Sequence, residues 1–298
     1  MPCPSRADAP RVFALSDIHV DYPDNMAWLE ALSTTAYRHD ALILAGDVSD
    51  DLNKLAAALQ CVRTKFAQVF FVPGNHELWV RRQPGMDSFT KFHQVLELCA
   101  MLGVQTRPAS VGKAVWIVPL FSWYVKPEEG SDSLFVPKPG EDPTLTRWSD
   151  DYCTRWPSRA AGRTIADHFL RLNEPYLHQQ YDAPVISYSH FVPRTDLIFS
   201  TPEERAASGT GPLDTAPSFN FSRVAGSWGI EAQIRRLGSA VHVYGHQHRN
   251  RRRLVDGIWY VAHSLGYRRE RALGQIRDME HGPALIWETR LGVPAFSL

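Results

Sequence analysis

The 298-residue chain carries no net charge, because 32 lysines and arginines balance 32 aspartates and glutamates. Phosphate-backbone affinity needs a basic surface, so nucleic acid is not an expected partner, although a local basic site is not excluded. Long apolar runs are also missing. None approaches the roughly 20 residues needed to span a bilayer, so no membrane association is expected. Cysteine is scarce: Cys3, Cys61, Cys99 and Cys153 stand far apart with no Cys-x-x-Cys pair. Cys61 and Cys99 fall in helical patterns, where they read as buried free thiols. Residues 1–8 have no apolar stretch of the kind a secretory leader requires. Together these features predict a cytoplasmic, reduced protein. There is no internal repeat, low-complexity tract or interdomain linker, which predicts one domain over residues 1–298. Hydrophobic residues at 44% and charged residues at 21% are ordinary for a globular chain with an ample core.

What the chain does hold is a series of short blocks rich in metal-binding side chains. They are Asp17-x-His19, Gly46-Asp47, Gly74-Asn75-His76-Glu77, Ser189-His190-Phe191 and Gly245-His246-x-His248. Each follows a short apolar run: residues 12–15, 41–45, 69–72, 185–188 and 241–244. Runs of that length, rich in β-branched and aromatic residues, read as buried strands. The carboxylates, amide and imidazoles therefore emerge from strand ends, where an α/β fold gathers its ligands. Aspartate and histidine suit manganese, iron and zinc, and asparagine adds a neutral carbonyl oxygen. With no cysteine among them, the set fits an open catalytic site better than a closed structural zinc site. A single carboxylate such as Asp47 can bridge two cations about 3.5–4 Å apart. Gly46, Gly74 and Gly245 permit tight turns and close backbone approach.

Around these blocks the N-terminal third alternates strand and helix. Trp28, Leu29, Leu32 and Tyr37 predict a helix opening near Asp24, residues 50–66 a second, and residues 86–102 a third closing at Gly103. Such alternation implies a parallel sheet with helices outside it. Further strands are predicted near 115–118, 240–244, 258–262 and 284–289, with a hairpin turn at Asp256-Gly257. Two long irregular stretches, about 122–163 and 193–226, are rich in Pro, Gly, Ser and Thr and are expected to form a cap over the metal site.

The ordered pattern D-x-H, G-D, G-N-H-E, H and G-H-x-H resembles the calcineurin-like metallophosphoesterase superfamily, with blocks framing residues 12 to 248. The resemblance implies an α/β fold, a four-layer α/β/β/α sandwich of two mixed sheets flanked by helices. It implies two divalent or trivalent ions, manganese first, with iron or zinc as alternatives. One would be held by Asp17, His19, Asp47 and His248, the other by Asp47, Asn75, His190 and His246. It further implies a phosphohydrolase acting on a small phosphomonoester or phosphodiester, by in-line attack of a hydroxide bridging the ions. Asn75 and His76 would contact substrate, His76 serving the leaving oxygen, and Asp50 matches the position that orients this histidine in phosphoprotein phosphatases.

The pattern departs from those phosphatases at two points. Asp51 and Pro73 stand where two phosphate-clamping arginines would be. Neither can replace a bidentate guanidinium, so a protein phosphatase of that type is disfavoured. Arg249, Arg251, Arg252 and Arg253, and Arg268, Arg269 and Arg271, are the alternative cations, with Arg249 and Arg253 the chosen substrate-binding candidates; a solvated hairpin is the bland alternative. Leu265-Gly266-Tyr267-x-Arg269-Glu270 and Trp148-x-Asp150-Asp151 resemble segments of one branch of the superfamily and suggest no substrate. His242 reads as a hydrogen-bonded core residue, while His263 is a further candidate for approaching the site. Trp123, Tyr124 and Trp148 could offer stacking surfaces within the cap. A catalytically inactive scaffold or a phospholigand-binding module is the competing class; intact ligand blocks and His76 count against it.

Overall fold

The computed structural model of the protein describes residues 9–142, 148–157, 163–202, 204, 206 and 219–296. Cys3 and the expected cap residues 143–147, 158–162, 203, 205 and 207–218 lie outside the described residues. The first sheet comprises β1 (Arg11–Leu15), β2 (Ala41–Ala45), β3 (Gln68–Val72), β10 (Ala284–Glu288) and β11 (Val293–Pro294), in the order β11-β10-β1-β2-β3. The second comprises β4 (Ala109–Val111), β5 (Val115–Pro119), β6 (Val185–Tyr188), β7 (Val241–Tyr244), β8 (Arg251–Val255) and β9 (Ile258–Ala262), in the order β4-β5-β6-β7-β9-β8. In the second sheet parallel pairs form the centre and antiparallel strands close both edges; in the first, β1, β2 and β3 run parallel, with β3 at one edge, and β10 and β11 add antiparallel pairs on the other side.

The two-residue period of the strands decides the layering. In β1, Val12 and Ala14 join a cluster shared with Ile117, Ile186, Tyr188 and Val243 of the second sheet. Phe13 and Leu15 point the other way, into a cluster with Leu55, Leu59, Val62, Val95 and Cys99. Those residues belong to α2 (Leu52–Arg63) and α3 (Ser88–Met101), which cover the first sheet together with α1 (Pro23–Ala31). Helices α5 (Ile165–Leu172) and α7 (Trp228–Arg236) add Phe169, Ile230 and Ile234 to the cluster around the second sheet. Two shorter helices, α4 (Asp150–Cys153) and α6 (Glu174–Leu177), lie in the connections, and α8 (Arg268–Ala272) follows β9. Two mixed sheets flanked by helices are thus what the strand and helix patterns build.

Local chemistry sets the element ends. Asp51 Oδ1 accepts from the amides of Asn53 (2.8 Å) and Lys54 (3.2 Å), capping α2. Gly103 stops α3 at φ 67°. Asp256 (φ 46°) and Gly257 (φ 83°) make the expected hairpin turn between β8 and β9. Helix α1 is shorter than its apolar pattern predicts. It ends at Ala31 because Ser33 Oγ accepts from the amides of Thr35 and Ala36, offering a turn in place of a helix. Tyr37 instead stacks on Phe66 at 4.8 Å.

Candidate metal centre

Five of the blocks fall in turns at the carboxyl ends of β1, β2, β3, β6 and β7. These turns are sharply wound: Asp17 (φ 50°), His19 (φ 46°), Asp47 (φ 56°), His246 (φ 72°) and His248 (φ 51°) all adopt left-handed backbone conformations. Such conformations cost free energy in non-glycine residues and collect at functional sites. The turns brace one another through backbone bonds, Asp17 N to Gly46 O at 3.0 Å and His19 N to Asp47 O at 3.0 Å. The glycines before the ligands leave room for them. A Cβ on Gly74 would sit 2.2 Å from Asp47 Oδ1, and one on Gly46 2.5 Å from His190 Nδ1.

Two groups of ligand atoms result, Asp17, His19, Asp47 and His248 in one, and Asp47, His190 and His246 in the other. Asp47 is common to both. His19 Nε2 lies 3.0 Å from His248 Nε2, and His190 Nε2 lies 3.1 Å from Asn75 Oδ1 and 3.2 Å from His246 Nδ1. Donors about 2.1 Å from one ion, at tetrahedral or octahedral angles, are separated by about 3.0–3.4 Å. The donor set of carboxylate, imidazole and one amide oxygen, without thiolate, fits manganese, iron or zinc.

Three of the imidazoles have their other nitrogen held by a partner. His190 Nδ1 meets Ala45 O at 2.8 Å, His246 Nε2 meets Val224 O at 3.0 Å, and His248 Nδ1 meets Glu270 Oε2 at 2.8 Å. Such outer partners fix ring orientation and leave the inward nitrogen free to bind a cation. Glu77 performs the same service for backbone. Its buried carboxylate accepts from the amides of Gly74, Asp47, Val48 and Ser49 at 2.7–2.9 Å. Burial and the Asp47 charge push its pKa up to about 7.

Electrostatics tie carboxylates to imidazoles. Burial works against charge on Asp17 and Asp47, yet His248 and His190 respectively hold both well below the usual carboxylate range. Burial likewise opposes charge on His190 and His248, but Asp47 raises the first to about 9 and Asp17 the second to about 10. His246, buried and beside His190, is lowered to about 3. Cations bound here would displace protons from such a cluster.

Asn75 Nδ2 donates to Asp150 Oδ1 at 2.9 Å, which turns the amide oxygen toward His190. Asp150 also accepts from Trp79 Nε1 (2.6 Å) and Trp148 Nε1 (2.6 Å). Sequence reasoning noticed Trp148-x-Asp150 without giving it a role. It likewise noticed Gly266, Tyr267 and Glu270, and these line the other side: the Tyr267 ring lies 4.7 Å from that of His19 and 4.9 Å from that of His248. His76 stacks on Trp79 at 3.7 Å, its amide donates to Asp47 Oδ1 at 3.0 Å, and its Nε2 lies 3.8 Å from Asp47 Oδ2.

Three expectations need correction. Asp50 does not hydrogen-bond His76; its Oδ2 accepts from Arg81 Nε (2.5 Å) and Arg82 Nε (3.3 Å). Arg253 is committed to Glu204, with further bonds to the Asp196 and Phe199 carbonyls, so it braces β8 instead of gripping substrate. Trp123 and Tyr124 are buried in the core and offer no exposed stacking face. Arg249 is exposed and donates to Ser200 Oγ at 3.3 Å; no contact joins it to the ligand groups among the described residues. His263 is buried against Gly282 O and stays apart from both groups. His242 is the core residue expected, between Ser187 Oγ and Ser189 Oγ.

A fold of two sandwiched sheets with this turn geometry defines a class, and comparison with known proteins agrees. The chain belongs to the calcineurin-like phosphoesterase family, whose model matches residues 10–250. It is a phosphoric ester hydrolase of that family. It is similar to the acyl-carrier-protein phosphodiesterase PptH of Mycobacterium tuberculosis (strain ATCC 25618 / H37Rv), with 28% identity over 285 residues, 88% of this chain and 79% of that protein. The crystal structure of the phosphopantetheinyl hydrolase PptH from Mycobacterium tuberculosis superposes with a TM-score of 0.66 at 24% identity, over 89% of this chain and 92% of the other.

Proposed function

We propose that the chain hydrolyses a phosphodiester at a centre of two cations, with a phosphopantetheinyl ester of a carrier protein as the substrate class. The observation that carries the dinuclear centre is the sharing of Asp47 between two groups of ligand atoms. The diester preference rests on the similarity to a phosphodiesterase named for acyl carrier protein. Manganese is the metal we propose first, held by Asp17, His19, Asp47 and His248 on one side and by Asp47, Asn75, His190 and His246 on the other. Cations there would supply Lewis-acid polarisation of the phosphoryl oxygens and a nucleophile from water at neutral pH.

The chain's own residues do the remaining work. Asn75 presents its amide oxygen because Asp150 holds its nitrogen. His76 keeps one face on Trp79 and one edge toward Asp47, with its side chain 17% exposed to the cleft. A proton on its imidazole can then pass to the leaving oxygen as the ester breaks. The described cap segments, 122–142 and 148–157 with 193–202 and 219–226, shape the approach. No helix among the described residues is long and apolar enough to cross a membrane, and Cys61, Cys99 and Cys153 are free thiols; a cytoplasmic setting fits both.

The test is turnover of bis(p-nitrophenyl) phosphate, p-nitrophenyl phosphate and a phosphopantetheinylated carrier protein by protein stripped and reloaded with Mn²⁺, alongside metal counting. We expect about two ions per chain, by the sharing of Asp47, and faster cleavage of the diesters. Asp47→Asn should lose both ions and turnover. His76→Ala should retain the ions and slow turnover by a factor on the order of 10²–10⁴. A fully active Asp47→Asn protein would overturn the reading.

A further inference from the structure

The two clamping arginines of the phosphoprotein phosphatases are replaced here, Asp51 serving as a helix cap and Pro73 having no donor. Arg253, the sequence-level substitute, is committed to Glu204. A phosphoryl group at this centre therefore needs a donor of another kind.

The segment Leu265-Gly266-Tyr267-x-Arg269-Glu270, to which sequence reasoning gave no role, brings one to the site. Its backbone is stitched to the turn that carries Asp17 and His19. Leu265 N donates to Ser16 O at 3.0 Å and Gly266 N to Asp17 O at 2.8 Å. The buried Asn25 Nδ2 donates to Ile18 O at 2.7 Å and to Gly266 O at 2.9 Å, joining the two strands of backbone. Arg271 Nη1 adds bonds of 2.8 Å to the Leu265 and Gly266 carbonyls. Glu270 Oε2 accepts from the Tyr267 amide at 2.7 Å and meets His248 Nδ1 at 2.8 Å. One carboxylate thus sets both Tyr267 and the imidazole beside it.

The Tyr267 ring lies against His19 and His248, whose Nε2 atoms stand 3.0 Å apart in the first ligand group. On its other side is Tyr22, 5.2 Å away and 53% exposed, so the ring stands between the ligand group and solvent. His19 also carries the His76 ring at 4.6 Å, which makes Tyr267 and His76 neighbours of the same imidazole. Burial raises the phenol pKa, and among the surrounding charges Asp47, the carboxylate shared by both groups, raises it most. The hydroxyl makes no hydrogen bond among the described residues, yet it is not sealed from solvent. A phenol fixed by its backbone and left unpaired beside a cation site has its O–H donor to give.

We propose that the Tyr267 hydroxyl binds substrate, donating to a non-bridging oxygen of the scissile phosphate where the phosphoprotein phosphatases use guanidiniums.

This assignment rests on the phosphohydrolase reading, and a binding measurement separates the two. Tyr267→Phe keeps the ring against His19 and His248 and removes only the donor. Loaded with Mn²⁺, the variant should hold as many ions as wild type by metal counting. Its affinity for inorganic phosphate, read by calorimetry on the loaded protein, should fall by roughly tenfold or more. Its kcat/KM for bis(p-nitrophenyl) phosphate should fall by about 10–100-fold, the range of one hydrogen bond to a charged group. A tyrosine that only packs against the imidazoles would leave both quantities unmoved, because phenylalanine supplies the same ring. An unchanged phosphate affinity or an unchanged kcat/KM overturns the proposal, as does loaded wild type that binds no phosphate. Loss of an ion from the variant also overturns it, since the hydroxyl would then serve the metal. Weakened phosphate binding with the ions retained, in a protein whose wild type cleaves no ester, would sustain the hydroxyl as a phosphate donor and count against the hydrolase reading alone.

Discussion

Strained backbone recurs among the proposed ligands, twice directly after a glycine. Gly46 precedes Asp47 and Gly245 precedes His246, and five of the proposed ligands take positive φ. Each such residue stores on the order of 1–3 kcal/mol. That strain gives a stability prediction. In metal-stripped protein, where His248 has no cation to hold, His248→Gly relieves the backbone and His248→Ala does not. Thermal unfolding should show the glycine variant about 1 kcal/mol more stable than the alanine variant. Equal melting temperatures would mean that the turn is not strained at that position.

Among the elements, α4 is four residues long and yet reaches the core of the site through Asp150. Asp150→Asn offers one carbonyl oxygen to three N–H donors, from Asn75, Trp79 and Trp148. Asn75 is then free to flip and Trp79 to move under His76. We expect metal occupancy below that of wild type and a loss of activity on the order of 10–100-fold, read by metal counting and turnover, with a shifted tryptophan emission. Unchanged occupancy and emission would reduce Asp150 to a packing residue. The element also shows where sequence reasoning reaches its limit. Asp47, Asn75 and His246 were legible because a strand, a glycine and a ligand lie within a few residues of one another, and Asp17 because it follows a strand and precedes His19 by two. Asp150 was not, since its partners Asn75 and Trp79 stand 75 and 71 positions away. The arginines of β8 misled for a related reason. A charge run invites a ligand, and only the fold reveals that Glu204 answers Arg251 and Arg253. The strands and most helices were legible from apolar periodicity and the two-sheet layering from the family resemblance, whereas the sheet order came only from the fold and the short α1 was decided by one serine hydroxyl.

Across the whole molecule, the ligands come from both sheets. Asp17, His19, Asp47 and Asn75 follow strands of the first, and His190, His246 and His248 follow strands of the second. Cations would therefore tie the sheets together at one end of the sandwich. Free metal at 100 times its Kd adds about 2.7 kcal/mol of stability for each site. Reloading stripped protein with Mn²⁺ should raise Tm by about 5–10 °C for one such site in a chain of this size, and Asp47→Asn should remove most of that rise. An unmoved Tm in wild type would show that the ions do not bridge the layers.

The two long segments expected to form a cap each reach one proposed ligand, the first holding Asn75 through Asp150 and the second meeting His246 through the Val224 carbonyl. Cations bound there and the order of these two segments would for that reason be linked. A molecule that shifted those two contacts on docking would alter the affinity for cations by the same factor by which cations altered its own.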